Sequence, residues 1–323
     1  MKPSSSVAAF SEDRAIESAG LTSAATLPSE TAFVNLMRLA RARPSLPLDI
    51  ETETSSVRIV ASARTSDVAH HPAIAKQFPV LAEAMLAGAS PQVRDAATVG
   101  GNLLQRTRCP YFRELASSCN KRDPGSGCSA LHGYTRSHAV LGTSPDCIAT
   151  HSSDMAVALV ALDAIVHTRS PTGTRTIPIG ELYTLPGHHP EIETVLAPAE
   201  QITHVELPVT IWARRSTYLK VRDRTSYTSA LAAAAVALEL SGDRIATARV
   251  ALGGIATTPW RSSEAERELI GKHPTTDVFL EAARAALANA RPLHDNAFKI
   301  ELARRTIVRA LERVAFVAKG LSV

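Results

Sequence analysis

The chain has 323 residues, with 35 Lys and Arg against 31 Asp and Glu and a formal net charge of +4. So mild an excess, with aromatic residues at only 4%, argues against nucleic-acid binding, which needs a concentrated basic patch and stacking platforms. Hydrophobic residues at 45% and charged residues at 20% fit a globular protein of one large or two modest domains, and no apolar run approaches the roughly 20 residues of a membrane span.

The opening MKPSSSVAAFSEDRAIESAG lacks the apolar core of a secretory signal, so a cytoplasmic location with reduced thiols is expected. The first thirty residues show no pattern that fixes a structure. Thr31–Ala42 reads as a short amphipathic helix and Ser56–Ala63, SVRIVASA, as an alternating strand. Within Ser66–Gly88, PVLAEAMLAG has a helical period closed by Gly88. Arg94–Leu104, RDAATVGGNLL, follows a short apolar run with a Gly-Gly turn. Residues from about 105 to 150 are rich in Gly, Ser, Pro, Arg and Lys and lack periodicity. Compact domains keep loops of that length when they are functional or held by something else. Ser153–His167 is strongly apolar, helix first and then strand; Gln201–Pro208 reads as a strand, and Pro208–Ser216 as a boundary into a second domain. Beyond it lie a strand at Tyr218–Arg224, a buried helix or helix-to-strand run at Ser226–Leu240, a strand at Asp243–Ile255, an Ala-rich helix at Asp277–Ala290 and an amphipathic helix at Phe298–Val317. The alternation gives an α+β class.

All four cysteines fall in or beside the aperiodic segment, as C-x9-C-x8-C-x18-C from Cys109, Cys119, Cys128 and Cys147. Structural zinc sites usually pair ligands two to four residues apart, and a thioredoxin-type redox pair needs C-x2-C; neither spacing occurs. A 4Fe-4S cluster needs only four thiolates that converge from a backbone able to wrap it. Gly125, Gly127 and Gly133 suit close backbone approach and positive φ. Arg106, Arg108, Arg113, Lys121, Arg122 and Arg136 would offset the negative charge of such a cluster. The spacing favours iron–sulfur and leaves zinc and no metal open. His132, His138 and His151 lie nearby and could be ligands, but read rather as loop or hydrogen-bonding histidines, since four cysteines complete a tetrahedral set.

Other signals are weaker alone. In TVGGNLL, Thr98 offers a hydroxyl, and Gly100 and Gly101 free N–H groups that could cradle a phosphate or ribityl chain; a plain tight turn is the commoner meaning. Ser152, Ser153 and Asp154 are good helix-capping residues, or would sit near a ligand's hydroxyls. Lys220, in YLKVRDR, is an ordinary strand lysine or neutralises a cofactor charge. There is no nucleophile–base pair and no G-x4-G-K loop, so the chain reads as a cofactor carrier rather than a self-contained acid–base catalyst.

Taken together, VGGNLLQRTRCPYF, CNKRDPGSGCSALHG, HAVLG, CIATHSSDMAVAL, YLKVRDRTSY, ALGGIATTPWR and NAFKIELARRTIVRAL resemble the FAD-binding medium subunit of molybdenum hydroxylases. This is the xanthine dehydrogenase and carbon monoxide dehydrogenase family, and the likeness is nearest to the flavin and 4Fe-4S subunit of periplasmic aldehyde oxidoreductases. It runs from about Phe33 to Ala315. The resemblance implies a two-part FAD-binding domain of the vanillyl-alcohol oxidase (PCMH) type at residues 1–210, its first part within about 1–55 and an iron–sulfur loop inserted at about 105–150. A carbon monoxide dehydrogenase flavoprotein-like α+β domain would follow at 211–323. It implies FAD held by Thr31, Thr98, Gly100, Gly101, Asn102, Asp154 and Lys220, and a 4Fe-4S cluster on Cys109, Cys119, Cys128 and Cys147. The implied partners are a large molybdenum-cofactor subunit and a small 2Fe-2S subunit in a heterotrimer. Electrons would pass from the 2Fe-2S clusters through FAD to an external acceptor. Co-export with a signal-bearing partner would make the location periplasmic instead.

One segment departs from the family. Aligned on Asn35-Leu36-Met37, Pro28-Ser29-Glu30-Thr31 stands where the family carries a loop like A-G-G-T-N-L-L around the pyrophosphate. Thr31 is kept, but both glycines are gone. Ser29 and Glu30 carry Cβ atoms that resist positive φ, and Glu30 brings charge of the wrong sign. A cluster-bearing relative without flavin, structural or assembly-related, is the alternative.

Overall fold

The structure, a computed structural model, describes residues 49–224 and 227–316. The expected Thr31–Ala42 helix, Thr31 and the Pro28–Thr31 segment lie outside the described residues.

The first half builds a five-stranded antiparallel sheet. β1 (Ile50–Thr52) and β2 (Ser56–Val60) form one hairpin, β3 (Ile165–Ser170) and β4 (Gly173–Pro178) another, and β5 (Gln201–Pro208) pairs between them in the order β1-β2-β5-β3-β4. Strand periodicity sorts the side chains. Val57, Ile59, Val166, Val205 and Leu207 share one face, each at most 1% exposed, in a core with Phe78, Leu81 and Leu159. The opposite face carries Arg58, His167, His204 and Glu206.

Between β2 and β3 come α1 (Thr65–His70), α2 (Pro72–Gln77), α3 (Pro79–Ala87), α4 (Pro91–Ala96), α5 (Val99–Leu103), α6 (Pro110–Arg113) and α7 (Asp154–Ala161); α8 (Ile179–Leu182) follows β4. The helical stretch before Gly88 is divided because Pro72 and Pro79 each open a new helix: proline suits the first helical position and pushes the residue before it out of the helix. Gly88 closes α3 as its spacing implied.

The second half is a four-stranded antiparallel sheet, β6 (Ser216–Val221), β7 (Ala232–Ser241), β8 (Arg244–Gly253) and β9 (Trp260–Arg261), covered by α9 (Ser263–Leu269), α10 (Thr276–Leu287) and α11 (Phe298–Phe316). Here one expectation is corrected: the alanine-rich run ending at Leu240 is strand, not helix. Ala233, Ala235 and Ala237 pack into the core under α7, whereas Ala234, Val236 and Leu238 face α10 and α11. A central strand covered on both faces reads as one unbroken apolar run, and burial outweighs alanine's helix preference. Alanine is small enough for elements to approach closely on both sides.

Between residues 105 and 150, α6 and a single 3-10 turn at Ser129–Leu131 are the regular helices. The end of this loop is stitched to the second half. Val140 N–H donates to Ile255 O at 2.8 Å, and the fully buried Lys299 donates to Ser137 O, His138 O and Gly254 O at 3.1, 2.9 and 2.6 Å.

Candidate functional site: two clefts flanking one short helix

A large cleft enclosing about 1640 Å³, partly open to solvent, brings together Thr98, Gly101, Asn102, Asp154 and Lys220. The part of it that a solute can occupy is about 720 Å³, within the roughly 300–1,000 Å³ of a small-molecule or cofactor pocket. Five residues chosen from separate motifs thus meet at one place, on α5, α7 and β6.

The Gly-Gly pair is not a turn. It forms the first turn of α5, capped by Thr98, whose Oγ1 accepts the Gly101 N–H at 3.1 Å. The two N–H groups expected to be free are thus engaged, Gly101 by Thr98 Oγ1 and Gly100 by Ala61 O at 2.8 Å, while the neighbouring Val99 and Asn102 donate to Ala63 O at 2.9 Å and Thr98 O at 2.8 Å. Gly100 does not line the cleft. A Cβ there would stand 3.1 Å from the Ala61 Cβ and 3.2 Å from its carbonyl oxygen, so this glycine serves close packing of α5 on the end of β2. The donors that α5 offers a ligand are the Thr98 hydroxyl and Asn102 Nδ2. Asn102 Oδ1 is committed to Ser153 Oγ at 2.6 Å and Gln105 Nε2 at 2.9 Å, which fixes the amide's orientation.

Asp154 opens α7 behind the capping Ser153, whose Oγ accepts the Ala156 N–H at 2.9 Å. Its Oδ2 meets Lys220 Nζ at 2.7 Å and its Oδ1 accepts from the Tyr218 hydroxyl at 2.6 Å. Lys220 also donates to Ala87 O at 3.0 Å. Both side chains are largely buried, 4% exposed for Lys220 and 12% for Asp154. Burial pushes the Asp154 carboxyl up, against Lys220 and the Tyr218 hydroxyl, which favour its charge; burial and Asp154 push Tyr218 up. Lys220's charge is therefore spent on Asp154. The pair forms a neutral, rigid wall and does not supply net positive charge.

Positive charge comes from two residues that sequence reasoning placed elsewhere or missed. Arg108, expected near the cysteines, lines this cleft, and so does Arg94 from α4. Thr228 also lines it, with a buried hydroxyl that has no hydrogen-bond partner among the described residues. A buried hydroxyl left unpaired costs roughly 1–3 kcal/mol, so it marks a place where a ligand atom completes the wall. Arg94 gives no local signal, since it matters only where α4 folds back beside α5.

The cysteines meet at a second, smaller cleft of about 290 Å³ lined by Cys109, Cys119, Cys128 and Cys147 together with Tyr111, Phe112 and Lys121. None is in a disulfide. Cys119 and Cys128 face each other in an antiparallel bridge, tied by Asn120 N–H to Gly127 O at 2.7 Å and Gly127 N–H to Asn120 Oδ1 at 2.8 Å. Gly125 and Gly127 take φ of +86° and +95°, as the loop's tight reversal requires. Gly133 instead gives room to the Tyr111 hydroxyl. No three of the four sulfurs lie within 4.8 Å of one another.

Burial pushes the Cys109 thiol up to about 11 and raises Cys128 and Cys147, the last opposed by Lys121. Of the six basic residues expected to offset a cluster, Lys121 lines this cleft, while Arg122 donates to Tyr111 O, Phe112 O and Ser117 O and so knits the loop. Arg106 pairs with Glu193 and Arg136 with Asp223. His138 hydrogen-bonds: its Nε2 lies 3.3 Å from Cys109 Sγ, and burial pushes it down to about 4, so it is a neutral partner of the thiol. His151 lines a third cavity of about 1030 Å³, which shares Gln105 with the large cleft and Lys121, Cys147 and Ala149 with the cysteine cleft.

Residues 34–210 match the FAD binding domain in molybdopterin dehydrogenase, and residues 217–314 the CO dehydrogenase flavoprotein C-terminal domain. The aldehyde oxidoreductase FAD-binding subunit PaoB of Escherichia coli (strain K12) is 44% identical over 87% of this chain and 88% of its own length. The carbon monoxide dehydrogenase medium chain of Hydrogenophaga pseudoflava is 26% identical over 85% and 84%. A solved structure of carbon monoxide dehydrogenase from that organism, lacking the Mo-pyranopterin moiety of its cofactor, superposes with a TM-score of 0.61 at 24% identity, over 89% of this chain and 87% of the other, and shares the fold. The chain belongs to the FAD-binding medium subunits of the molybdenum hydroxylases, a family of oxidoreductases. The mixed α+β fold agrees with the expectation.

Proposed function

We propose that the chain is the electron-transfer subunit of a heterotrimeric molybdenum hydroxylase of the aldehyde or xanthine dehydrogenase kind. Its partners are a large molybdenum-cofactor subunit and a small 2Fe-2S subunit. Electrons arrive from the 2Fe-2S clusters and leave through FAD to an external acceptor. The observation that carries this reading is the convergence of Thr98, Gly101, Asn102, Asp154 and Lys220 on one cleft whose wall contains the unpaired Thr228 hydroxyl.

Bound FAD would supply the exchange between one-electron carriers and a two-electron acceptor. The chain's residues bind and orient it. Thr98, Asn102 and Thr228 offer hydrogen bonds, Arg94 and Arg108 compensate pyrophosphate charge, and the Asp154–Lys220 pair fixes the wall without adding net charge. Gly100 acts indirectly by seating α5.

A 4Fe-4S cluster on Cys109, Cys119, Cys128 and Cys147 completes the proposal. The cleft that all four cysteines line supports it. The raised thiol pKa values mean that iron must displace protons to bind, as ligand thiolates require. We divide the chain into residues 1–210 and 211–323 on the same reading. No helix among the described residues is long and apolar enough to cross a membrane. We place the complex in the cytoplasm, with the periplasm, by co-export, as the alternative.

A second reading, a cluster-bearing relative without flavin, draws on one feature: Pro28-Ser29-Glu30-Thr31 lacks the glycine pair. An anaerobic visible spectrum, with iron and acid-released flavin assays, separates the two. Four irons and one flavin per chain are expected. Four irons with no flavin, even after FAD is added, would favour the second reading, and zinc in place of iron would remove the cluster from both.

A further inference from the structure

On the polar face of the first sheet, far in sequence from the cysteines, His167 on β3 and His204 and Glu206 on β5 place their ligand atoms within 4.8 Å of one another. We propose that these three side chains form a binding site for a divalent transition-metal ion of the zinc class, which clamps β3 to β5.

Hydrogen bonding fixes the donors. The Thr203 hydroxyl donates its one proton to His167 O at 3.0 Å. Its 3.1 Å contact with His204 Nδ1 must then run the other way, with Nδ1–H donating to Thr203 Oγ1. Neutral His204 is thereby held with its lone pair on Nε2, and that atom is buried with no hydrogen-bond partner. An orphaned imidazole lone pair beside a carboxylate is a vacant ligand position. Its other nitrogen carries the outer-shell hydrogen bond that orients metal-binding histidines. His167 Nε2 lies 2.9 Å from Glu206 Oε2, so its proton lies between two potential ligand atoms. A cation entering there takes the Nε2 lone pair of the other tautomer: the proton exchanges through solvent from Nε2 to Nδ1, leaving a neutral ring.

The backbone is shaped for this. The register of β3 and β5 shifts between His167 and Thr168, leaving Thr203 as the extra residue of a bulge. Bulges re-aim side chains, and this one supplies the hydroxyl that orients His204. The imidazoles are stacked, centroids 4.0 Å apart and planes 16° from parallel. A shared ion needs one ring to turn about χ2, a soft torsion. The charged groups around His204 are Glu206 and Glu51 against Arg58 and the neighbouring His167. Arg58 pairs with Glu206 at 3.3 Å and Glu53 at 3.5 Å, and keeps Glu53 when Glu206 turns to the ion. Two imidazoles and one carboxylate, with water in the fourth position, are an established zinc set.

The test is zinc content per chain after equilibration of the purified full chain with zinc sulfate and removal of free metal. The cysteine site contributes equally to wild type and to His204→Ala and His167→Asn, so it cancels in the difference. Wild type is expected to hold one more zinc than either variant. Equal content would overturn the site. Should the histidine variants not fold, Thr203→Val decides. Loss of the orienting hydroxyl is expected to weaken zinc binding about 10- to 100-fold; unchanged binding overturns the proposal. X-ray absorption of zinc on unaltered protein must also show nitrogen and oxygen neighbours, and an all-sulfur shell overturns it.

Discussion

Replacing His151 by asparagine should flatten the acid side of the stability profile. The ring of His151 lies edge-on to Tyr183, centroids 4.5 Å apart, and its Nδ1 accepts the Ser153 N–H at 3.2 Å, so protonation would cost an acceptor as well as bury a charge. Burial, helped by Lys121, pushes His151 from 6.5 down to about 3. The unfolded chain takes up this proton below about pH 6.5, while the folded chain refuses it until about pH 3. More protons on the unfolded state means that stability is full above pH 6.5 and falls as the pH drops through that window. At about 1.4 kcal/mol per unit, the stretch from pH 6.5 to 4.5 removes roughly 2–3 kcal/mol. Asparagine keeps the acceptor, since its Oδ1 reaches the N–H two residues on. Urea unfolding followed by circular dichroism between pH 7.5 and 4.5 is the assay. The two proteins should agree within about 1 kcal/mol at pH 7.5 and diverge by about 2–3 kcal/mol at pH 4.5, the variant being the more stable. Parallel curves would refute the assignment of a buried neutral imidazole at this position.

Other expectations rest on the clefts. Lys220→Met strands the Asp154 carboxylate with the Tyr218 hydroxyl and the more distant Arg222 charge as its remaining support among the described residues, so urea unfolding should show a loss of about 3–5 kcal/mol, largely recovered when Asp154→Asn is added. Thr228→Val leaves the fold intact and weakens FAD binding roughly tenfold in a flavin-fluorescence titration, if its unpaired hydroxyl meets the ligand. Gly100→Ala forces a methyl to 3.1 Å from the Ala61 Cβ and should lower stability by about 1–3 kcal/mol even in flavin-free protein, separating its packing role from cofactor contact. Cys128→Ser should abolish the iron-dependent visible absorption and leave the acid-released flavin unchanged.

Much of the fold was legible locally. β2 alternates, β5 matches the Gln201–Pro208 run residue for residue, and α10 and α11 follow the 3.6-residue period, because each buries a single face and the pattern records it. The cysteine loop was legible for the opposite reason: a long aperiodic stretch holding every thiol has no account in packing. β7 was not, because a strand covered on both sides erases the alternation that would identify it. Gly100 and Gly101 could be found but not assigned, since which N–H groups are free depends on Ala61 and Ala63, about 40 residues away.

In the sequence by itself the motifs carried the resemblance to the family, and residue type and spacing marked the four thiols and made Thr98, Asp154 and Lys220 candidates, because such signals are local and need no reference to neighbours. Tertiary structure alone decided that Lys220 is neutralised by Asp154, that Arg108 serves the large cleft rather than the cysteines, and that His167 meets His204 and Glu206 across a bulge. These are questions of which charges and lone pairs remain unpaired. That is a property of strand register and helix packing, which bring distant residues within 3 Å, and no stretch of chain carries it alone.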